Sequence, residues 1–198
     1  MGNNEERVEI IGFHGTDATS CKKILEKGGY FKERNKEIEW AGTGIYFFTE
    51  ENEYLQEAYS NARKWAVKRK NISEKNVRII KTHIFILKRL IFDLRLTKLQ
   101  LVFQKYRDGF FKRAQEKAKN EKKELTKSQK NGKIIDTCVI NKICAKYGYH
   151  AVIMQAYINF EKDCNKEDDP YKFYQSIIPN CTIFCLRNQR YIIKKEEI

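Results

Sequence analysis

With 198 residues and a mass of 23.6 kDa, the chain has room for one domain with a sizeable core and little room for two. An apolar fraction of 41% with 13% aromatics excludes a disordered chain, and no window approaches the ~18 apolar residues of a membrane-spanning helix. A net charge of +13 favours polyanionic partners.

In chain order, the pattern predicts a first strand over 8–13 that runs straight into His14, Gly15 and Thr16. That places an imidazole at a strand end, where a glycine lets backbone approach a ligand closely. Thr16 or Asp17 caps a helix with Ala18, Cys21, Ile24 and Leu25 on its apolar face, and Gly28 and Gly29 end it. Residues 30–39 read as a charged loop or ragged edge strand. Gly42, Thr43 and Gly44 then repeat the glycine device ahead of an aromatic strand over 45–49. A helix over about 51–68 carries Leu55, Ala58, Ala62, Trp65 and Ala66 on one face. Residues 77–94 form one long strand or two, apolar on both faces, with His83 as a polar spot.

Residues 96–133 are helical and mostly polar, with Gly109 as a break point. Positions 67–133 hold 21 Lys plus Arg against 6 Asp plus Glu, so this segment carries more than the whole net charge and the remainder is slightly acidic. Leu99, Phe103, Tyr106, Phe110 and Phe111 give it a docking stripe, and its lysine-rich end is either a solvated helix or a nucleic-acid-binding arm. An amphipathic helix over 134–147, a strand over 150–155, an acidic loop over 161–169 and a short aromatic helix over 171–176 follow. Strands at 181–186 and 191–193 pair as a hairpin. The expected class is α+β in a single domain, 1–198, with a basic helical insertion at about 96–133.

Six cysteines without a Cys-x-x-Cys, and three histidines none of which lies near a cysteine pair, argue against zinc and for buried reduced thiols. The polar, acidic N-terminus is no signal peptide, and Glu6 stands where a myristoylation signal wants Ser or Thr. A cytoplasmic protein is the expectation.

His-Gly-Thr at a first strand, followed some thirty residues on by Gly-x-Gly-Ile-Tyr-Phe with a helix between, resembles the ADP-ribosyltransferases of the diphtheria-toxin and poly(ADP-ribose) polymerase type. The resemblance implies two small antiparallel-rich sheets flanked by helices, with NAD as co-substrate in the cleft between them. It implies that His14 bonds the adenosine-side ribose, that the Gly15 N–H and C=O clamp the nicotinamide carboxamide, and that Tyr46 stacks on the nicotinamide. Thr16 would cap the next helix and help position the ribose. A second aromatic closes the nicotinamide sandwich, and Tyr59 and Trp65 both qualify. Small enzymes of this build are often toxins or phage-defence effectors, which would imply a neutralising protein partner.

That family marks itself with His, Tyr and a glutamate at the start of a late strand. Here the matching strand is 181–186, without a glutamate; the position falls at Cys181, Thr182 or Ile183. The departure argues against polymer elongation and for single transfer, with a loop carboxylate, Glu161 or Glu167, assisting. The expected function is mono-ADP-ribosylation of a nucleic acid, RNA or single-stranded DNA, since phosphate contacts dominate affinity for a basic segment. A protein acceptor, or a pseudoenzyme that binds NAD, ADP-ribose or RNA without turnover, are the alternatives.

Overall fold

A computed structural model describes residues 5–33, 40–50, 57–121, 124, 132–161, 167, 168, 170, 176 and 178–198. Its strands are β1 (Arg7–Asp17), β2 (Ile45–Thr49), β3 (Val77–Leu87), β4 (Ile91–Asp93), β5 (Ala151–Ala156), β6 (Cys181–Leu186) and β7 (Ile192–Glu197). Its α-helices are α1 (Ala18–Leu25), α2 (Glu57–Lys64), α3 (Thr97–Asn120) and α4 (Gly132–Tyr147). The class is mixed α and β, as expected.

The strands join one seven-stranded sheet in the order β4-β5-β6-β2-β1-β3-β7, in place of the two packed sheets expected. β4 and β5 run parallel and every other neighbour is antiparallel. The sheet is nonetheless weakly joined at one seam. β1 pairs with β3 along eleven residues, whereas β1 pairs with β2 only at Gly12–Thr49 and Phe13–Phe48. Gly12 is what permits that seam, because a Cβ there would lie 2.9 Å from the Cβ of Phe47.

The expected hairpin between 181–186 and 191–193 does not form. All six residues of β6 are buried, so the strand sits inside the sheet between β5 and β2, while the half-exposed β7 closes the far edge against β3. A strand apolar on both faces needs cover on both, which an edge hairpin could not supply. The stretch over 77–94 resolves into two strands, β3 and β4, separated by a 3₁₀ turn at Lys88–Leu90. Gly109 does not break α3, which runs on to Asn120. The aromatic helix expected at 171–176 falls mostly outside the described residues.

The core has three parts. α1 covers Phe31, Phe47, Ile80 and Phe184 on one face of the sheet. α2 and the turn that continues it bring Ala58, Ala62 and Ala66 against Phe13, Phe48 and Ile183 on the other. α4 buries Ile135, Val139, Ile140 and Ile143 against Phe92 and Val152, and α3 docks on that layer through Leu99, Phe103, Tyr106 and Phe110. No described helix is long and apolar enough to cross a membrane.

Cys21, Cys144, Cys181 and Cys185 are buried and unbridged. Burial pushes the Cys144 thiol up to about 11 and the Cys181 thiol up to about 12, from an ordinary value of 9.0. Unfolded chains therefore lose these protons first, and the stability linked to them is complete below pH 9 and declines as pH rises toward 11–12. The unfolding free energy from urea titration should fall across pH 9–11, by up to about 1.4 kcal/mol per pH unit for each thiol. The fall should be shallower in Cys181→Ala; an identical slope in that variant would show that the thiol is not the cause.

Candidate active site

The cleft begins where β1 and β2 part. His14, Gly15 and Thr16 lie inside β1, not at its end as the sequence suggested, and β3 holds all three in register. On the other side β2 has already diverged, and the His14 ring bridges the gap: its Nδ1 lies 2.8 Å from the carbonyl oxygen of Tyr46. A carbonyl can only accept, so Nδ1 carries the proton and Nε2 is the acceptor nitrogen of the neutral ring. Phe31 and Phe47 meet the imidazole edge-on at 5.3 and 5.9 Å between centroids. Phe31, from a stretch that reads as a charged loop, is 1% exposed, and Gln189 bonds both its N–H and its C=O at 2.8 Å.

Tyr46 is fixed by its own hydroxyl, which donates to the Gly42 carbonyl at 2.5 Å and accepts from the Ala41 N–H at 2.9 Å. This clasp shapes the turn that precedes β2. Gly42 has φ of +78°, and a Cβ there would lie 2.5 Å from Asn141 Oδ1. Asn141, on α4, latches the turn: its Oδ1 accepts from the Thr43 N–H and from Arg187, both at 2.9 Å, and its Nδ2 donates to Thr43 Oγ1 at 3.2 Å. Sequence reasoning missed Asn141 and Arg187 because their partners lie 98 and 46 residues away.

Packing alone requires a glycine at position 15. α2 crosses β1 so closely that a Cβ would lie 2.1 Å from the Ala62 carbonyl oxygen. The alanine stripe and the glycine are two sides of one contact. Beyond α2 the helix widens into a π turn, Trp65–Arg69, a rare geometry that recurs at functional sites. The Lys70 N–H bonds the Trp65 carbonyl at 3.1 Å, and the Lys70 amine reaches back to donate to the Gly15 carbonyl at 2.8 Å.

His14, Gly15, Tyr46, Trp65, Lys70 and Ile183 thus share one cleft, with Phe13, Phe47, Phe48, Trp40 and Ile158 completing its described apolar walls. Its volume is about 50 Å³. Of the two aromatics that qualified on the second helix, Trp65 lines the cleft, while Tyr59 packs on the neighbouring core without lining it. Thr16 is buried, and it is Asp17 that caps α1: its Oδ1 accepts from the Ser20 N–H at 2.9 Å and its Oδ2 from the Ser20 hydroxyl at 2.7 Å. Those bonds hold the Asp17 carboxyl below its usual value. Of the three candidate positions on the late strand, Ile183 faces the cleft, whereas Cys181 and Thr182 line a separate cavity. Glu161 and Glu167 are exposed, and neither is among the described residues that line the cleft. His83 and His150 lie elsewhere, the Nδ1 of His83 against Glu9 at 2.6 Å and the Nδ1 of His150 against the Tyr191 hydroxyl at 2.5 Å. Among the described residues no group of three or more His, Cys, Asp or Glu is placed to hold a metal ion.

No family model matches the chain, and no solved structure matches it significantly. Over 99 residues, 48% of its length, the chain is 33% identical to an uncharacterized protein of Methanocaldococcus jannaschii. It spans 42% of the length of that relative.

Asn141→Ala removes three bonds and leaves the Thr43 N–H and the Arg187 guanidinium without this acceptor. It should lower stability by about 1–3 kcal/mol, measured by denaturant unfolding. Quenching of tryptophan fluorescence should rise as Trp40 becomes more accessible. A variant as stable as the parent would mean that the turn is held by Tyr46 alone.

Proposed function

We propose that the protein is an NAD-dependent mono-ADP-ribosyltransferase whose acceptor is a nucleic acid. The observation that carries this reading is the meeting of His14, Tyr46 and Trp65 at one cleft, from three separate elements. Cleaving the nicotinamide–ribose bond leaves an oxocarbenium-like sugar and releases neutral nicotinamide. A site for it must hold the dinucleotide bent, grip the leaving ring and keep water out. Tyr46 and Trp65 offer aromatic faces for the nicotinamide, His14 offers a ring nitrogen to a ribose hydroxyl, and Gly15 would offer its carbonyl to the carboxamide once Lys70 is displaced.

Two features set the terms of binding. The cleft is far smaller than the ~300–1,000 Å³ of ordinary ligand pockets, and the Gly15 carbonyl already accepts a bond from Lys70. NAD would therefore displace the Lys70 amine and move Trp65 outward to widen the cleft, which the irregular π turn is suited to allow. The displaced amine would remain near the diphosphate as a counter-charge. Ile183 in the wall, one of the three positions at which the carboxylate of the resembled family could fall, supports single transfer over elongation. The same residue favours the second reading, a non-catalytic NAD-binding protein.

Incubation of the purified protein with labelled NAD together with RNA, single-stranded DNA or protein tests this directly. Label should move to nucleic acid, and His14→Ala and Tyr46→Ala should each lower transfer at least about a hundredfold, or about 2.7 kcal/mol. Glu161→Gln or Glu167→Gln should lower it about tenfold if either loop carboxylate assists. NAD binding without turnover would establish the second reading, and label on protein alone would change the acceptor.

The acceptor rests on charge. α3 carries Lys98, Lys105, Arg107, Lys112, Arg113, Lys117 and Lys119, with no buried residue along its length. Its aromatic stripe is not free to stack bases throughout: Tyr106 and Phe110 lie under the amines of Lys146 and Lys142, and Phe111 is the one that reaches 38% exposure. Neutralising Lys117 and Lys119 together with Lys122, Lys123, Lys127 and Lys130, which lie outside the described residues, should weaken RNA binding. It should also flatten the salt dependence by about 0.7 in log–log slope for each phosphate of a single strand that is no longer neutralised. NAD hydrolysis should not change. Unaltered RNA affinity would leave α3 as solubilising surface.

A further inference from the structure

Among the described residues, two buried side-chain nitrogens have no hydrogen-bond partner, Arg69 Nη1 and His83 Nε2. Buried donors are nearly always paired, so each calls for an explanation. His83 Nε2 has a carboxylate at hand, Glu196 at 3.7 Å. Arg69 Nη1 has none. Arg63 and Arg78, on either side of it in the chain, pair with Glu74 and Glu197. The Arg69 guanidinium instead rests over the Trp65 ring, 5.8 Å from its centroid. A ring face attracts the charge but cannot take up five N–H donors. Trp65 is a wall of the cleft, and Lys70, next in the chain after Arg69, reaches the Gly15 carbonyl there at 2.8 Å. The π turn thus sets a guanidinium against one wall of the cleft and is followed at once by an amine inside it. Residues 58–73 carry five Lys or Arg and no Asp or Glu, so the local field favours an anion.

We propose that Arg69 and Lys70 together bind a phosphate group at the Trp65 side of the cleft. The guanidinium fork matches two oxygens of a tetrahedral anion, and the ammonium meets another as a point charge. Lys70 leaves the Gly15 carbonyl only for a partner that attracts it more strongly. A phosphate or diphosphate has the charge for that, and enough oxygens to serve both side chains at once. A carboxylate has two oxygens and a single charge, and the fork alone would use both. Contact with Trp65 already restricts the Arg69 side chain, so less freedom is lost when the anion arrives. The inference deepens the reading of the cleft as an NAD site and rests on it only for the source of the phosphate. That source is either the diphosphate of the dinucleotide or a backbone phosphate of the acceptor strand.

The Arg69 Nε–Hε and Trp65 indole resonances report on this site during NMR titration of the whole chain. Inorganic pyrophosphate should move both, and acetate at equal ionic strength should move neither. Arg69→Gln and Lys70→Gln should each weaken pyrophosphate at least about tenfold. Lys64→Gln, at an exposed position of the same basic stretch, should weaken it less than about twofold. NAD that competes with pyrophosphate identifies the dinucleotide as the source, and a short single-stranded RNA that competes while NAD does not identifies the acceptor. The wild-type comparison of pyrophosphate with acetate needs no variant and serves if Arg69→Gln does not fold. Equal shifts with acetate would overturn the assignment, as would resonances unmoved at pyrophosphate concentrations on the order of ten millimolar. Equal weakening by Lys64→Gln would also overturn it, in favour of a diffuse basic surface. Pyrophosphate carries no nicotinamide, so the transferase reading can fail while this site holds. Label transfer undiminished in Arg69→Gln would do the reverse, sinking the site and leaving the transferase.

Discussion

The hydrogen bond from His14 to the Tyr46 carbonyl holds the two halves of the sheet together at the point where they separate. β1 and β2 share two residue pairs, too few to fix their relative position. A ladder bond would have closed the gap and abolished the cleft. A side chain long enough to span it keeps the strands tied and apart, at 2.8 Å from ring nitrogen to carbonyl. The imidazole suits this position because its Nδ1–H is a donor that reaches the far strand. Its faces and edges pack against Phe31 and Phe47, so the ring has little freedom to turn.

Much else follows from keeping that fork open. The seam requires β2 to come close at Gly12 and α2 to come close at Gly15, and both glycines are explained by what a Cβ would strike. The turn before β2 has to deliver Tyr46 at the right height, which its hydroxyl and the Asn141 latch accomplish together. The helix behind the cleft then widens at Trp65, where ordinary α geometry would continue past the cleft mouth. Each of these contacts connects residues distant in sequence, so the cleft depends on the completed fold and not on any one loop.

What the sequence made legible was local. Alternation and β-branching marked β1, β2, β3 and β5, and the alanine spacing marked α2. The His14 and Tyr46 pair was visible as two glycine-flanked rings on predicted strands, and the structure brings both to one cleft. The sheet order was not visible, because β6 and β7 are separated by five residues and look like a hairpin; only burial on both faces places β6 between β5 and β2. Phe31 was hidden in a run of charges, and Trp65 could not be told from Tyr59 while the π turn was unseen. Asn141 and Arg187 carried no pattern at all, since an asparagine on a helix and an arginine after a strand are ordinary surface residues until their partners are known.

Charge is arranged more sharply than its total suggests. The basic helix α3 is stacked on α4 at one side of the sheet, while Glu50 and Glu57 face a cavity at the end of the β2–β6 pair. Between them lies a cleft whose described lining carries one cation, Lys70, bound to a backbone carbonyl. A single polyanion laid along α3 has no electrostatic reason to enter the acidic cavity, and a cationic group drawn to that cavity has none to rest on α3. The Debye length of about 8 Å at physiological salt keeps the two fields from cancelling across the surface.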